Sequence, residues 1–537
     1  MRSEVRWASL PAMVRDGASD HGDRLAVVCG ERRVTADELV ARITQCARGL
    51  VASGIEPGDR VAVWAPNSLE WIVAALGVTT AGAALVPVNT RFRGTEAAHI
   101  VARSRARLLF TVRGFLDTDY PALLATANAE LPELGGTVLL SGEPTSNHER
   151  SWSSFIAAGA AIDTAVIDQR VDALTADDPS DIVFTSGTTG APKGVVMTHG
   201  QTLRAYLDWC DWADLRAGDR YLIVNPFFHI FGYKAGVLAS LMRGATIYPM
   251  PVFDVAAVLE TVQRERITVL PGPPTLYQSM LDHGERASFD LTSLRLAVTG
   301  AADIPVELIR RVREELPFER VLTGYGLSEA GTVTGSAPDD TFEQIATTVG
   351  VAWAGFDVRT VDTAGAQTAV GVPGEVIVRG PTVMRGYLDD PQATADAIDE
   401  DGYLHTGDLG TLDETGHLRI VGRIKDMFIV GGFNAYPAEI ENLLLTHPRI
   451  AQVAVIGIPD ERLGEVGMAF IVRGDDEPNE PLAADDVVAW AREQMANFKV
   501  PRVVEFVDQL PMNATGKVVK DELRARVATR ATRTEIT

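Results

Sequence analysis

Thr185-Ser186-Gly187-Thr188-Thr189-Gly190-Ala191-Pro192-Lys193-Gly194 follows a short apolar run, Asp181-Ile182-Val183-Phe184, that reads as the end of a strand. Glycines at 187, 190 and 194 let backbone N–H groups turn toward an anion. Hydroxyls at 185, 186, 188 and 189 add donors, and Lys193 adds charge. This is the make-up of a loop that holds phosphates. It is not a Walker A loop, which needs G-x-x-x-x-G-K and then Ser or Thr opening directly into a helix. Here Pro192 precedes the lysine and Gly194 follows it, so a helix does not start there. A Ser/Thr/Gly-rich stretch also reads as a plain turn or linker, and the rest of the chain decides between the two.

At 537 residues the chain is too long for one compact core, so two or more domains are expected. A net charge of −23 makes it a poor binder of nucleic acid or anionic membrane, and polyanionic ligands must be held by local clusters of donors. Cys29, Cys46 and Cys210 show no CxxC spacing. That points to a reducing compartment and argues against a disulfide framework or zinc site. The N-terminus has no apolar signal core, and a cytoplasmic location is expected. The charge-free stretch from Trp71 to Val88 approaches membrane-span length, but Gly77, Gly82 and Pro87 interrupt it. It reads as a buried helix, turn and strand.

Thr35-Ala36-Asp37-Glu38 is a capping box, after which Leu39, Ile43, Cys46 and Leu50 recur at helical spacing. β-Branched runs such as Val61–Trp64 and Ala84–Val88 follow, and strand and helix signals alternate to about residue 340. From about 350 to 421 short strands with Gly, Asp and Pro turns take over. Past Lys425 the helix signal Glu439–Leu444, the strand signals Ile450–Ile458 and Met468–Val472, and the helix signal Asp485–Met495 make a small α+β unit. The fold class is therefore α/β: a large N-terminal domain of doubly wound sheets plus a β-rich subdomain, with a smaller α+β C-terminal domain. The expected boundary divides residues 1–424 from 425–537. No Pro/Ser-rich linker marks it, so any hinge there spans very few residues.

Further segments stand in order after the phosphate loop: Asn225-Pro226-Phe227-Phe228-His229-Ile230-Phe231-Gly232, Gly324-Tyr325-Gly326-Leu327-Ser328-Glu329, Gly374-Glu375-Val376, Thr406-Gly407-Asp408, Gly422-Arg423-Ile424-Lys425-Asp426, Gly431-Gly432-Phe433-Asn434 and Pro511–Lys517. With the loop they resemble the signature segments of the adenylate-forming superfamily, which includes acyl-CoA synthetases, luciferases and peptide-synthetase adenylation domains. The likeness runs over roughly residues 20–525 and implies ATP, Mg²⁺ and coenzyme A as co-substrates and cofactor.

The resemblance implies the roles. Thr185, Ser186, Gly187, Thr188, Thr189, Gly190 and Lys193 would hold the β- and γ-phosphates, and Ser328 would donate to the α-phosphate. Glu329 would be the Mg²⁺ ligand, since this hard ion is usually held by one or two carboxylates plus phosphate oxygens and waters. Tyr325 would offer adenine a flat face, with close backbone approach at Gly300, Ala301 and Ala302. Asp408 would accept the ribose hydroxyls, reinforced by Arg423. Lys517 would be the catalytic lysine bridging carboxylate and α-phosphate, and His229 a gate beside the acyl site. Lys425 would be the hinge on which a mobile C-terminal domain turns, bringing Gly431, Gly432 and Phe433 to line a coenzyme A tunnel. Tyr233, Lys234, Gly324 and Leu327 are the expected acyl-pocket residues. Lys234 has two readings: facing a polar group of the acid, or an ion pair with a nearby carboxylate.

The gate carries no aspartate to pair an amino-acid ammonium, and no carrier-protein segment follows Lys517, which favours a plain carboxylic acid and free coenzyme A. The segments Asn225–Gly236, Ile267–Thr275 and Gly431–Glu439 resemble actinobacterial FadD-type synthetases, in particular those for the indanedione-propanoate of steroid-ring cleavage. The expected activity is acid–CoA ligation on a fatty acid or such a propanoate. Loading of a carrier protein, and silent ligand binding, are the alternatives. The expected partners are small molecules, with no nucleic acid; oligomeric state is left open.

Overall fold

The computed structural model describes residues 2–185, 192–300, 306–431, 433–474, 482–513 and 517–534. Thr35 caps the helix Ala36–Ala52 with its hydroxyl, and Glu38 returns the bond to the Thr35 N–H. Ser68 caps the next helix, Leu69–Thr80, which is buried along almost its whole length and is followed by the buried strand Ala84–Pro87. The charge-free stretch is thus an internal helix, turn and strand. No helix among the described residues is long and apolar enough to cross a membrane.

Two sheets flank that buried helix layer. In the first, the strands run in the order Gly386–Tyr387, Lys193–Thr198, Pro179–Thr185, Ala84–Pro87, Arg60–Trp64, Leu108–Phe115, Thr137–Ser141 and Glu149–Ser151. From Pro179–Thr185 onward along this order the pairings are parallel. Lys193–Thr198 and Gly386–Tyr387 pair antiparallel at its edge. The second sheet runs Arg32–Thr35, Leu25–Cys29, Thr246–Pro249, Arg220–Ile223, and continues through a bridge at Val269 to Leu296–Thr299 and Arg320–Leu327. The hairpin strand Gly331–Gly335 returns antiparallel from Arg320–Leu327.

The β-rich region is an antiparallel sheet of Asp357–Val361, Gly374–Arg379, Leu404–Leu412 and Leu418–Arg423, with a core of its own around Val376, Val378, Met384, Leu404 and Leu418. The next strand, Phe428–Val430, belongs to another sheet, with Phe433–Ala435, Gly464–Arg473, Ile450–Asp460 and Val503–Phe506. Helices Pro437–Leu444, Ala484–Gln494 and Lys520–Thr534 complete this smaller unit. A single 3-10 turn, Ile424–Asp426, connects the two sheets.

Candidate active site

The strands Pro179–Thr185 and Lys193–Thr198 pair with Lys193 opposite Thr185, so both residues stand at the mouth of the connecting loop. Ser186, Gly187, Thr188, Thr189 and Gly190 lie outside the described residues, as do Ala301, Ala302 and Gly432. At the loop mouth the Thr185 hydroxyl donates to Glu329 Oε1 at 3.4 Å, and the Tyr387 hydroxyl donates to the same oxygen at 3.2 Å. Burial raises the Glu329 carboxyl above its ordinary range, and the two hydroxyls only partly offset that. The Lys193 ammonium lies 5.0 Å from the centroid of the Tyr387 ring. Sequence reasoning passed over Tyr387: nothing local distinguishes it, and only the strand pairing of Val195 with Tyr387 brings it here.

A second group forms where the strand Arg320–Leu327 meets the β-rich sheet. Tyr325 Oη donates to Asp408 Oδ2 at 2.6 Å, and Arg423 Nε lies 2.9 Å from Asp408 Oδ1. Asp408 and Arg423 are direct partners on adjacent strands. A carboxylate offers about four acceptor positions, so these partners leave capacity for hydroxyl donors. Thr406-Gly407-Asp408 is a bulge within the strand Leu404–Leu412, and its neighbour Gly374–Arg379 holds it in place. Gly407 adopts φ +69, and its N–H donates to Glu375 Oε1 at 3.1 Å. Glu375 Oε2 meets His405 Nδ1 at 2.9 Å. The Gly-Glu-Val segment thus supports the bulge that presents Asp408. Gly300 and Gly324 lie side by side: a Cβ on Gly300 would sit 3.0 Å from the Gly324 carbonyl oxygen. Ser328 follows in the turn after Leu327, whose half-buried side chain packs on the β-rich core.

The gate segment is fixed by two asparagines. Asn67 Nδ2 donates to the Asn225 carbonyl at 2.9 Å while its Oδ1 accepts from the Phe227 N–H at 2.7 Å. Asn225 Nδ2 donates to the Pro271 carbonyl at 3.1 Å. Gly232 has no room for a side chain, since a Cβ would lie 2.2 Å from the Pro226 carbonyl oxygen. His229 caps the short helix Ile230–Gly232 by accepting the Phe231 N–H on Nδ1 at 3.2 Å. A backbone N–H only donates, so Nδ1 is unprotonated and the proton of the neutral ring is on Nε2. Burial lowers the imidazole pKa to about 4, so the ring is neutral near pH 7.

Tyr233 and Lys234 lie on a π-helical turn, Tyr233–Leu238. Tyr233 is 2% exposed, with its ring 5.2 Å from that of Trp71. Of the two readings of Lys234, the structure contains the ion pair. Lys234 Nζ lies 2.7 Å from Asp181 Oδ1 and donates to Thr202 Oγ1 at 3.3 Å, and both charged side chains are almost wholly buried. Its charge is therefore met from within the protein by the strand that leads into the phosphate loop. An ammonium and a carboxylate shut away from water each carry a desolvation penalty that only a close partner offsets, which is why the ion-pair reading holds.

Lys517 is half-buried; its N–H donates to Asn513 Oδ1 at 2.9 Å, and its carbonyl accepts the Asn513 N–H at 2.8 Å. Arg91, from the large unit, donates to the Asn513 carbonyl at 3.2 Å and so ties Asn513 to it. Lys425 is exposed in the connecting 3-10 turn, and its neighbour Asp426 is held by Arg524 at 2.7 Å. Gly431 has φ +57, and Phe433, 61% exposed, stacks on Phe498 with ring centroids 5.1 Å apart.

Residues 14–388 match the AMP-binding enzyme family, and residues 439–517 match the AMP-binding enzyme C-terminal domain. The chain belongs to the AMP-binding enzyme family. This AMP-binding enzyme is 48% identical over 516 residues to a 7a-methyl-1,5-dioxo-octahydro-1H-inden-4-yl propanoyl:CoA ligase of Rhodococcus jostii, covering 96% of this chain and 98% of the relative. It is 50% identical over 503 residues to the ligase of the same description from Mycobacterium tuberculosis, covering 94% and 96%. Its fold superposes on the anthranilate CoA ligase AuaEII in complex with anthranoyl-AMP with a TM-score of 0.87, at 26% identity and over 99% of each chain. The AMP-binding enzyme described here is an acyl-CoA synthetase, an AMP-forming ligase that joins a carboxylic acid to coenzyme A at the expense of ATP.

Proposed function

We propose that the acid is a ring-bearing propanoate of the dioxo-octahydro-indenyl class. The observation that carries this is near-full-length identity of about one half to two ligases described by that acid. The gate, whose half-buried and buried side chains include Phe227, Phe228 and Phe231 but no carboxylate, suits an apolar ring system with no ammonium to pair.

The residues then divide the work. Thr185 and Lys193 stand at the phosphate end of the site. Asp408, steadied by Tyr325 and Arg423, takes the ribose hydroxyls. Both hydroxyl donors of Glu329 converge on Oε1, and among the described residues no side chain donates to Oε2. One hard oxygen beside a phosphate loop fits Mg²⁺, which keeps waters and phosphate oxygens as its other ligands. When bound there, the ion would neutralise charge on the phosphates. Lys517 supplies the charge opposite the α-phosphate as the carboxylate attacks and pyrophosphate leaves. In the second half-reaction the smaller unit turns at Lys425, withdrawing Lys517 and bringing Gly431 and Phe433 to the thiol entrance.

The test is purified protein with ATP, Mg²⁺ and coenzyme A, offered the indanedione-propanoate and fatty acids of similar length, with pyrophosphate release and thioester mass as readouts. The ring acid should exceed the fatty acids in kcat/KM by about tenfold or more. Equal or better turnover of a fatty acid would overturn the substrate assignment.

A further inference from the structure

Tyr387 is in contact with two side chains of opposite charge at the loop mouth. Its hydroxyl donates to Glu329 Oε1 at 3.2 Å, and its ring carries the Lys193 ammonium 5.0 Å from the centroid. Its backbone is anchored on both sides. Tyr387 pairs with Val195 across the strands, the Leu388 N–H donates to the Gly194 carbonyl at 2.7 Å, and the Tyr387 N–H donates to Thr394 Oγ1 at 2.9 Å. Gly386 leaves no freedom for a larger residue: it has φ +149, and a Cβ there would lie 2.9 Å from Thr394. The ring is therefore placed by the sheet, not by the ligand.

Lys193 and Glu329 make no ion pair with each other among the described residues, although both reach Tyr387. An ammonium and a carboxylate reaching the same tyrosine would otherwise close on each other and cancel the charges that a triphosphate and its cation are to meet. An aromatic face attracts the cation through its quadrupole and a phenol donates to the anion, so one tyrosine can satisfy both while keeping them apart.

We propose that Tyr387 is a positioning residue, holding Glu329 and Lys193 separate and aimed for the metal-bound triphosphate. This rests on the roles given to those two residues under the proposed function. Tyr387→Phe removes the hydroxyl and keeps the ring, whereas Tyr387→Leu removes both.

The primary readout is binding, not turnover: Mn²⁺ affinity of the enzyme with a non-hydrolysable ATP analogue, followed by electron paramagnetic resonance. Tyr387→Phe should weaken Mn²⁺ binding about tenfold, the loss of one hydrogen bond to a charged group, with KM for ATP at saturating Mg²⁺ nearly unchanged. Tyr387→Leu should in addition raise KM for ATP several-fold, on the order of a partly buried cation–π contact. Both should convert supplied acyl-AMP to thioester at the wild-type rate.

If Tyr387 acts through Glu329, adding Tyr387→Phe to Glu329→Gln should weaken Mn²⁺ binding no further. Additive losses would overturn the proposal, as would a Tyr387→Phe protein with wild-type Mn²⁺ affinity. Parallel loss of both half-reactions with a lowered Tm would make Tyr387 merely structural. The Mn²⁺ measurement needs no acid, so it tests Tyr387 even if the acid panel gives no pyrophosphate, a result that would instead sink the reading of the function.

Discussion

Replacing Lys234 by Met separates a structural charge from one that reads the substrate. The side chain keeps much of its length and loses its charge, which leaves Asp181, 1% exposed, facing a thioether. Asp181 keeps the Ser180 hydroxyl at 2.7 Å and the more distant Thr202 hydroxyl at 3.5 Å, but no cation. Breaking a buried pair by removing one partner costs about 3–5 kcal/mol. Neutralising the second charge as well, in Lys234→Met with Asp181→Asn, keeps an acceptor for Ser180 and should recover most of that loss. Urea and thermal unfolding of the wild type, both single variants and the double variant measure the cycle. In the soluble fraction of each, the ratio of kcat/KM for a keto-bearing ring acid to that for a fatty acid should stay within about twofold of wild type, because the ammonium is already paired with Asp181. The reasoning is refuted if Lys234→Met is destabilised by less than about 1 kcal/mol, the double variant is no better, and selectivity for the keto acid falls about tenfold, the worth of a charged hydrogen bond to the substrate.

Lys517→Ala should abolish acid-dependent pyrophosphate release while sparing conversion of supplied acyl-AMP to thioester; near-wild-type pyrophosphate release would remove it from the chemistry. Lys425→Pro locks φ in the exposed 3-10 turn and should leave adenylation measurable while blocking thioester formation, and equal loss of both half-reactions would argue against a hinge at this residue. Glu329→Gln should shift the Mg²⁺ titration of adenylation to higher concentration by roughly tenfold, and an unchanged titration would place the metal elsewhere. Burial lowers the His229 pKa from 6.5 to about 4, so the unfolded chain binds more protons in that window. Stability should therefore be lost as pH falls from 6.5 toward 4. His229→Gln should show a shallower fall in Tm over that range, and an identical slope would refute the assignment.

Much of this protein is legible along the chain. The Thr35 capping box, the buried helix and strand between Leu69 and Pro87, and the strand Gly374–Arg379 follow from local rules, because caps, periodicity and turn residues act within a few positions. The ordered segments around Thr185, Tyr325, Asp408 and Lys517 are legible in another way, by resemblance to a family. Strand ends lie a few residues away from the sequence signal: Met468–Val472 is part of the longer strand Gly464–Arg473, since pairing with a neighbour, not propensity, sets where a strand stops.

What the chain could not reveal is which side chains meet. Lys234 in an apolar segment is equally a substrate reader or half of an ion pair until Asp181, on a distant strand, is placed 2.7 Å away. Glu375 reads as a turn residue until it is seen to hold the Gly407 N–H. Tyr387 has no signal at all until antiparallel pairing with Lys193–Thr198 sets its ring under Lys193 and its hydroxyl against Glu329. Local sequence determines which backbone conformations are available, because those energies arise between neighbours. The partners of a buried charge or hydroxyl are decided by strand order and register, which bring together residues that the sequence keeps far apart.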